Sequence, residues 1–200
     1  MEEANNLELW NKVEKTNPKY TKKANVKGNK ITSIAPQYQI MNVTEQFGSY
    51  GKTWGFKDIE FDYTLVEKVG LVVFSATFFY PNGSFPIKNS IGLYIDNAKT
   101  KVDDNFAKKV ETDTLTKAIS KLGFNADIFM GKFDDQRYLD EVTNEFKEEN
   151  KEWLTEQNYK LLQEDKNHSK IPQYIEAFKV RPDQKELLLK LVDKLNLEPK

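Results

Sequence analysis

Gly51-Lys52-Thr53, in the stretch FGSYGKTWGF from Phe47 to Phe56, is the first group of residues whose types suggest chemistry. A phosphate-cradling loop has the form G-x-x-x-x-G-K-[ST], because four intervening residues wrap backbone N–H groups around two phosphates before a helix begins. Only Ser49 and Tyr50 separate Gly48 from Gly51, and Gln46 stands where the first glycine should be. Thr53 leads through Trp54 and Gly55 into an alternating strand pattern rather than a helix. The spacing therefore argues against a nucleotide loop, and Lys52 is expected in solvent.

Asp134 and Asp135, with Asp127 nearby, are the next candidates, since paired carboxylates can hold a divalent cation for nucleic-acid cleavage. Adjacent residues on an extended chain point to opposite faces, which favours surface acids over a metal site. Ser75, Ser84 and Ser90 lack the G-x-S-x-G elbow of a nucleophile. The chain has no cysteine, which excludes disulfides, thiolate catalysis and cysteine-bound zinc. Its only histidine, His168, falls in the polar run EDKNHSK and is expected to be solvated. No catalytic residue, metal site or cofactor emerges.

Binding is the chemistry that remains. Lysines 15, 19, 22, 23, 27 and 30 lie in a span without a single Asp or Glu, Lys99 and Lys101 precede a helix, and Lys117 and Lys121 lie four apart on it. Such a set can track a phosphate backbone if the elements converge on one groove. By contrast, Asp140 to Glu156 carries seven acids against two lysines, so the net charge of -1 conceals a basic amino-terminal portion and an acidic carboxy-terminal one.

The elements that must position these residues are written in periodicity. Residues 7 to 15 and 38 to 47 have helical spacing, and the lysine-rich stretch between them reads as a polar connector closed by Pro36. In KDIEFDYTLV, Ile59, Phe61, Tyr63 and Leu65 alternate with polar residues, which predicts a strand with those four side chains on the buried face. Leu71 to Tyr80 reads as a second strand, Pro81-Asn82-Gly83 as a turn, and SFPIKNSIGLYI as a third strand placed at an edge by Pro86. A helix should then run from Asp103 or Asp104 as cap to Gly123, with Leu115, Ala118, Ile119 and Leu122 facing the sheet. Phe106 and Val110 fall off that stripe and suggest a second apolar contact, such as a neighbouring subunit. Leu139 to Gln163 reads as charged and helical with Phe146, Trp153 and Leu161 as anchors, NHSKIP as a hinge, and Pro182 to Leu197 as a last helix with Leu187, Leu188, Leu191, Val192 and Leu195 on one face.

The fold class expected is α+β: a three-stranded antiparallel meander packed on a long helix, β-β-β-α, with extra helices at both ends. The expected domains are a core over 1–140 and a helical extension over 141–200. A hydrophobic fraction of 38% supports a packed core, no run approaches the length of a membrane span, and the acidic opening MEEANNLELW is no signal segment, so a cytoplasmic protein is expected.

Two segments carry a family resemblance. YQIMNVTEQFGSYGKTWGF resembles the helix, glycine turn and first strand of the Rad fifty-two superfamily, and KKVETDTLTKAISKLGFNADIF resembles its signature helix. The likeness covers roughly residues 10 to 140, and the ending GFNADIFMGKFDDQRY is similar to phage-encoded, Sak-type members. The resemblance implies a protein that binds single-stranded DNA and anneals complementary strands without ATP in phage recombination, inside an infected bacterial cell. It also implies a homo-oligomeric ring or filament with DNA in a basic groove. Lys117 matches a groove-lining basic position, Thr116 and Ser120 stand where animal members carry further basic residues, and Lys121 can supplement them. An amino-terminal basic position aligns near Ala24, with Lys22, Lys23 and Lys27 as nearest substitutes. The expected DNA-binding set is thus Lys117, Lys121, Lys22, Lys23, Lys27, Lys99 and Lys101, and the leucine face of residues 187 to 195 either packs on its own domain or docks a partner such as a single-strand binding protein. The alternatives are a single-stranded DNA binding protein without annealing activity and a metal-dependent nuclease built on Asp127, Asp134 and Asp135.

Overall fold

A computed structural model describes residues 6–26 and 28–197. The fold is α+β with two antiparallel sheets, and the chain divides into two compact units, Met1–Val142 and Thr143–Lys200.

The first unit begins with helix α1 (Glu8–Val13) and a 3₁₀ turn (Pro18–Tyr20). The stretch expected to be a connector is instead a β-hairpin: β1 (Thr21–Val26) pairs with β2 (Asn29–Ile34). Neither strand alternates large apolar with polar residues, so local periodicity does not announce it. Gly28 supplies the positive φ of 87° at the turn, where its N–H donates to Asn25 Oδ1. Helix α2 (Pro36–Phe47) follows, with proline at its start, where the missing N–H removes a donor that would have had no partner.

The second sheet has the order β3 (Gly55–Asp62), β4 (Leu71–Tyr80), β5 (Gly83–Gly92). β4 and β5 pair from Leu71↔Gly92 to Tyr80↔Gly83, and Pro86 lies on the edge strand, as the sequence predicts. β3 departs from expectation. Lys57 pairs with Thr77 and Glu60 with Ser75, so Asp58 and Ile59 both oppose Ala76, and Asp58 takes a positive φ of 54°. This β-bulge shifts the alternation by one residue, so Phe61 faces inward as the sequence predicts but Ile59 does not. Phe56 and Phe61 turn inward opposite Phe78 and Phe74, while Ile59 is 49% exposed. Tyr63 and Leu65 lie beyond the strand and are also exposed. The short helix α3 (Val66–Val69) then turns the chain, and Gly70 closes it in the left-handed conformation.

Helix α4 (Phe106–Ser120) starts later than the sequence suggests, because Asp103 accepts the Asn105 N–H outside the helix and bonds Lys109 Nζ at 2.6 Å. Ala118 and Ile119 are buried with Val43, Phe47, Trp54, Phe74 and Phe78 in one core. Val110 joins the same core rather than a second contact, and Phe106 meets Phe61 and Tyr63 edge-on. The helix buries a wider arc than its stripe because it packs against β5 on one side and α2 on another. Each fully buried large side chain, such as Trp54 or Phe124, contributes about 1.5–3 kcal/mol through area removed from water.

Helix α5 (Ala126–Phe129), a 3₁₀ turn (Lys132–Asp134) and helix α6 (Gln136–Asn150) follow. The second unit contains α7 (Glu156–Leu162), a 3₁₀ segment (Asp165–Lys170), α8 (Ile171–Ala177) and α9 (Pro182–Leu197) around its own core of Leu154, Tyr159, Leu162, Ile171 and Leu188. The charged helical stretch is broken between Asn150 and Glu156, and the expected anchors Trp153 and Leu161 are 61% and 44% exposed. The expected hinge is packed: Asn167 and Ile171 are buried, and so is His168, whose Nε2 lies 3.3 Å from the Gln163 carbonyl. That corrects the expectation of a solvated histidine. On α9, Leu188 is buried and Leu191 and Val192 pack against it, but Leu187 is half exposed, and the side chain of Leu195 lies outside the described residues. Among the described residues, no helix is long and apolar enough to cross a membrane.

Candidate nucleic-acid interface

The Gly-Lys-Thr stretch resolves into a turn. Gly48 and Gly51 take φ values of 89° and 79°, and the Gly51 N–H donates to the Trp54 carbonyl at 2.7 Å. The Trp54 ring is fully buried and its Nε1 donates to the Gly48 carbonyl at 2.9 Å. The turn thus fastens α2 to β3 and leaves Lys52 exposed.

The three aspartates considered for a metal do different work. Asp127 is fully buried and its carboxylate accepts Thr16 N (2.7 Å), Thr16 Oγ1 (2.6 Å), Ile128 N (2.8 Å) and Tyr138 Oη (2.9 Å). It locks the segment after α1 to the segment after α4. Asp135 accepts the Arg137 N–H at the start of α6, and Asp134 is exposed beside Lys23. Among the described residues, no three His, Cys, Asp or Glu side chains gather as a metal site.

The lysines fall in three places. The first is the hairpin, where Lys22 and Lys23 project from opposite faces of β1. Lys23 Nζ donates to Thr32 Oγ1 (2.9 Å) and the Phe133 carbonyl (3.0 Å) and lies 3.4 Å from Asp134 Oδ1, so it ties the hairpin to its neighbours. Lys22 is exposed and has no carboxylate partner among the described residues. Lys27 lies outside the described residues.

The second place is the seam between β5 and α4. Lys117 Nζ donates to Asp113 Oδ2 (2.7 Å) and Asn89 Oδ1 (3.0 Å), and Asn89 Nδ2 closes the triangle on Asp113 (2.8 Å). Partial burial pushes the Asp113 carboxyl up, but the hydrogen bonds from Lys117 and Asn89 outweigh it and hold the group below the usual carboxylate range. Lys121 Nζ sits 5.4 Å from the centre of the Phe85 ring, with no carboxylate partner among the described residues. Thr116 Oγ1 turns away to Gln39 Oε1 at 2.8 Å, and Ser120 Oγ donates to the Lys117 carbonyl.

The third place is the loop from β5 to α4. Asp96 organises it by accepting Thr100 Oγ1 (2.7 Å) and Lys101 N (2.8 Å), and these bonds lower its pKa. Lys99, at a φ of 56°, lies against Gly70, and Lys101 is exposed.

Lys19 and Lys30 lie outside the expected set but belong with the hairpin: Lys19 lines an open depression at its base and Lys30 a second one beside α5. Both lay inside the acid-free span, which was the available signal. The molecule is thus an α+β protein whose candidate lysines stand on a hairpin, a helix–strand seam and a loop. No family model, curated protein or solved structure matches the chain.

Proposed function

We propose that the protein binds single-stranded DNA and anneals complementary strands without ATP, as a homo-oligomer active in phage recombination in the cytoplasm of an infected bacterial cell. One observation carries this reading: the span Lys15 to Lys30, which holds six lysines and no acid, runs into a hairpin of the first unit on which Lys22, Lys23 and Lys30 stand. Concentrated cationic charge on an exposed ribbon suits a sequence-independent phosphate backbone. The packing of α4 with the β3-β4-β5 sheet is consistent with the β-β-β-α core of the family that the sequence resembles.

In this reading Lys22 and Lys121, which have no acidic partners among the described residues, make the first phosphate contacts, Lys99 and Lys101 extend the track, and Lys23 and Lys117 serve chiefly to hold the surfaces in shape. Linking many weak subunit sites along one strand raises avidity by orders of magnitude, so assembly is part of the mechanism. The second unit offers a surface for a partner such as a single-strand binding protein, with Trp153, Leu187 and Leu189 exposed.

The test is an annealing assay with two complementary labelled strands, magnesium and no ATP, alongside native mass measurement with and without single-stranded DNA. Duplex formation above the spontaneous rate by a DNA-bound oligomer is expected. Binding without acceleration would point to a protective binding protein, and shortened strands to a nuclease.

A further inference from the structure

At the base of the hairpin lies an open depression of about 420 Å³ lined by Lys19, Tyr20, Lys22, Ser33, Ile34 and Pro36 among others. Its volume is in the range of small-ligand sites. Three features give it a chemical identity. Lys22 and Ser33 are cross-strand partners, so an ammonium and a hydroxyl share one face of the hairpin. Tyr20 is stacked on Tyr38 at 4.4 Å and 13°, and Tyr38 Oη in turn accepts the Asn17 N–H at 3.1 Å, so the Tyr20 ring is a platform fixed from behind. Lys19 Nζ lies 5.8 Å from the centre of the Tyr20 ring, and none of the described residues that line the depression is an acid.

We infer that this depression is a nucleotide subsite for single-stranded DNA: Lys19 and Lys22 hold a phosphate, Ser33 Oγ donates to it, and one base packs on Tyr20 against the Ile34–Pro36 wall. The inference rests on the proposed DNA binding and makes it specific, since it assigns one unpaired base per subunit to a protein surface while neighbouring bases stay free to pair. Cations beside a rigid aromatic ring and an apolar wall match a nucleotide, which offers a charged oxygen cluster and a flat π-face together. An acidic peptide would use the lysines but leave the ring without a role.

The experiment measures binding of the full chain to a fluorescent oligo-thymidine by anisotropy across a salt series. The Lys19→Ala/Lys22→Ala double variant should lower the slope of log affinity against log salt by about 0.7, the share of one phosphate contact on single strands. Tyr20→Leu should weaken binding by about 5- to 150-fold, the range of one lost base stack, while Tyr20→Phe retains affinity. On an oligonucleotide of abasic sites, Tyr20→Leu and the parent should bind alike, a result that mere loss of hairpin structure would not give. If the parent chain binds no single strand at any salt, the proposed function fails and the subsite with it. If the parent binds and these variants bind equally well, the function stands and the subsite is overturned. If thymidine monophosphate competes as well as the oligonucleotide does per molecule, the site is for a free nucleotide and the strand assignment is wrong. Should Tyr20→Leu unfold, the exposed lysine pair decides alone.

Discussion

Replacing Asp127 by asparagine tests whether this acid is a structural lock or a metal ligand. The carboxylate receives four donors, two on each oxygen: Thr16 N and Tyr138 Oη on Oδ2, Thr16 Oγ1 and Ile128 N on Oδ1. An asparagine has the same shape but only one acceptor oxygen, so its NH₂ must confront one of these pairs. The two hydroxyls can rotate away; the backbone N–H groups of Thr16 and Ile128 cannot. Whichever way the amide turns, two charge-assisted hydrogen bonds are lost, at about 1.5–3 kcal/mol each, and a backbone donor is left facing a donor. The expected destabilisation of the first unit is about 3–6 kcal/mol, a large part of an ordinary domain's 5–15 kcal/mol. Urea denaturation followed by the fluorescence of buried Trp54 measures it, because that ring reports on the first unit. A loss under about 1 kcal/mol, or full stability with abolished magnesium-dependent strand cleavage, would refute the structural assignment and restore the metal reading.

Asp113→Asn should release Lys117 and raise single-strand affinity by about 1.5- to 5-fold, the worth of an exposed ion pair, with a steeper salt slope in the same anisotropy titration. Because the Asp113 carboxyl is held below its unfolded value, it adds stability above the usual carboxylate range and loses it as pH falls through the folded value. Acid unfolding curves should therefore show a smaller low-pH loss in Asp113→Asn than in the parent. Lys121→Ala should weaken single-strand binding more than Lys117→Ala, since Lys117 is already compensated, and equal effects by anisotropy would contradict the seam as described. Gly123→Ala should cost about 2–5 kcal/mol in urea denaturation: the residue has a φ of 97°, and a Cβ there would meet Trp10 Cα at 2.9 Å and the indole at 2.8 Å.

Much of the framework could be read locally. The bounds of β4 and α9, the turn at Pro81-Asn82 and the edge position of Pro86 follow from side-chain period and turn chemistry, which act over a few residues. β3 follows the same logic at Phe61 but not before it, because a bulge at Asp58 and Ile59 adds one residue, which lets Phe56 as well as Phe61 pack against Phe78 and Phe74. The hairpin is not legible in the sequence because its order comes from cross-strand bonds and from neighbours such as Tyr38 and Phe133, not from apolar alternation. His168 looked solvated in a polar run, yet α7, α8 and α9 close around that run.

The sequence by itself determined the supply of chemistry: no thiol, a single imidazole, and lysines concentrated in an acid-free span. Composition cannot be altered by folding. Only the tertiary structure decided which charges are available, because pairing is a matter of a few ångströms between residues far apart in the chain. It paired Lys117 with the Asp113 carboxylate beside Asn89, tied Lys23 to Phe133 and Asp134, buried Asp127 under Thr16 and Tyr138, and left Lys22 and Lys121 without acidic partners among the described residues. A lysine's role in binding depends on that difference, since an ammonium already held by a carboxylate must give up one anion to take another.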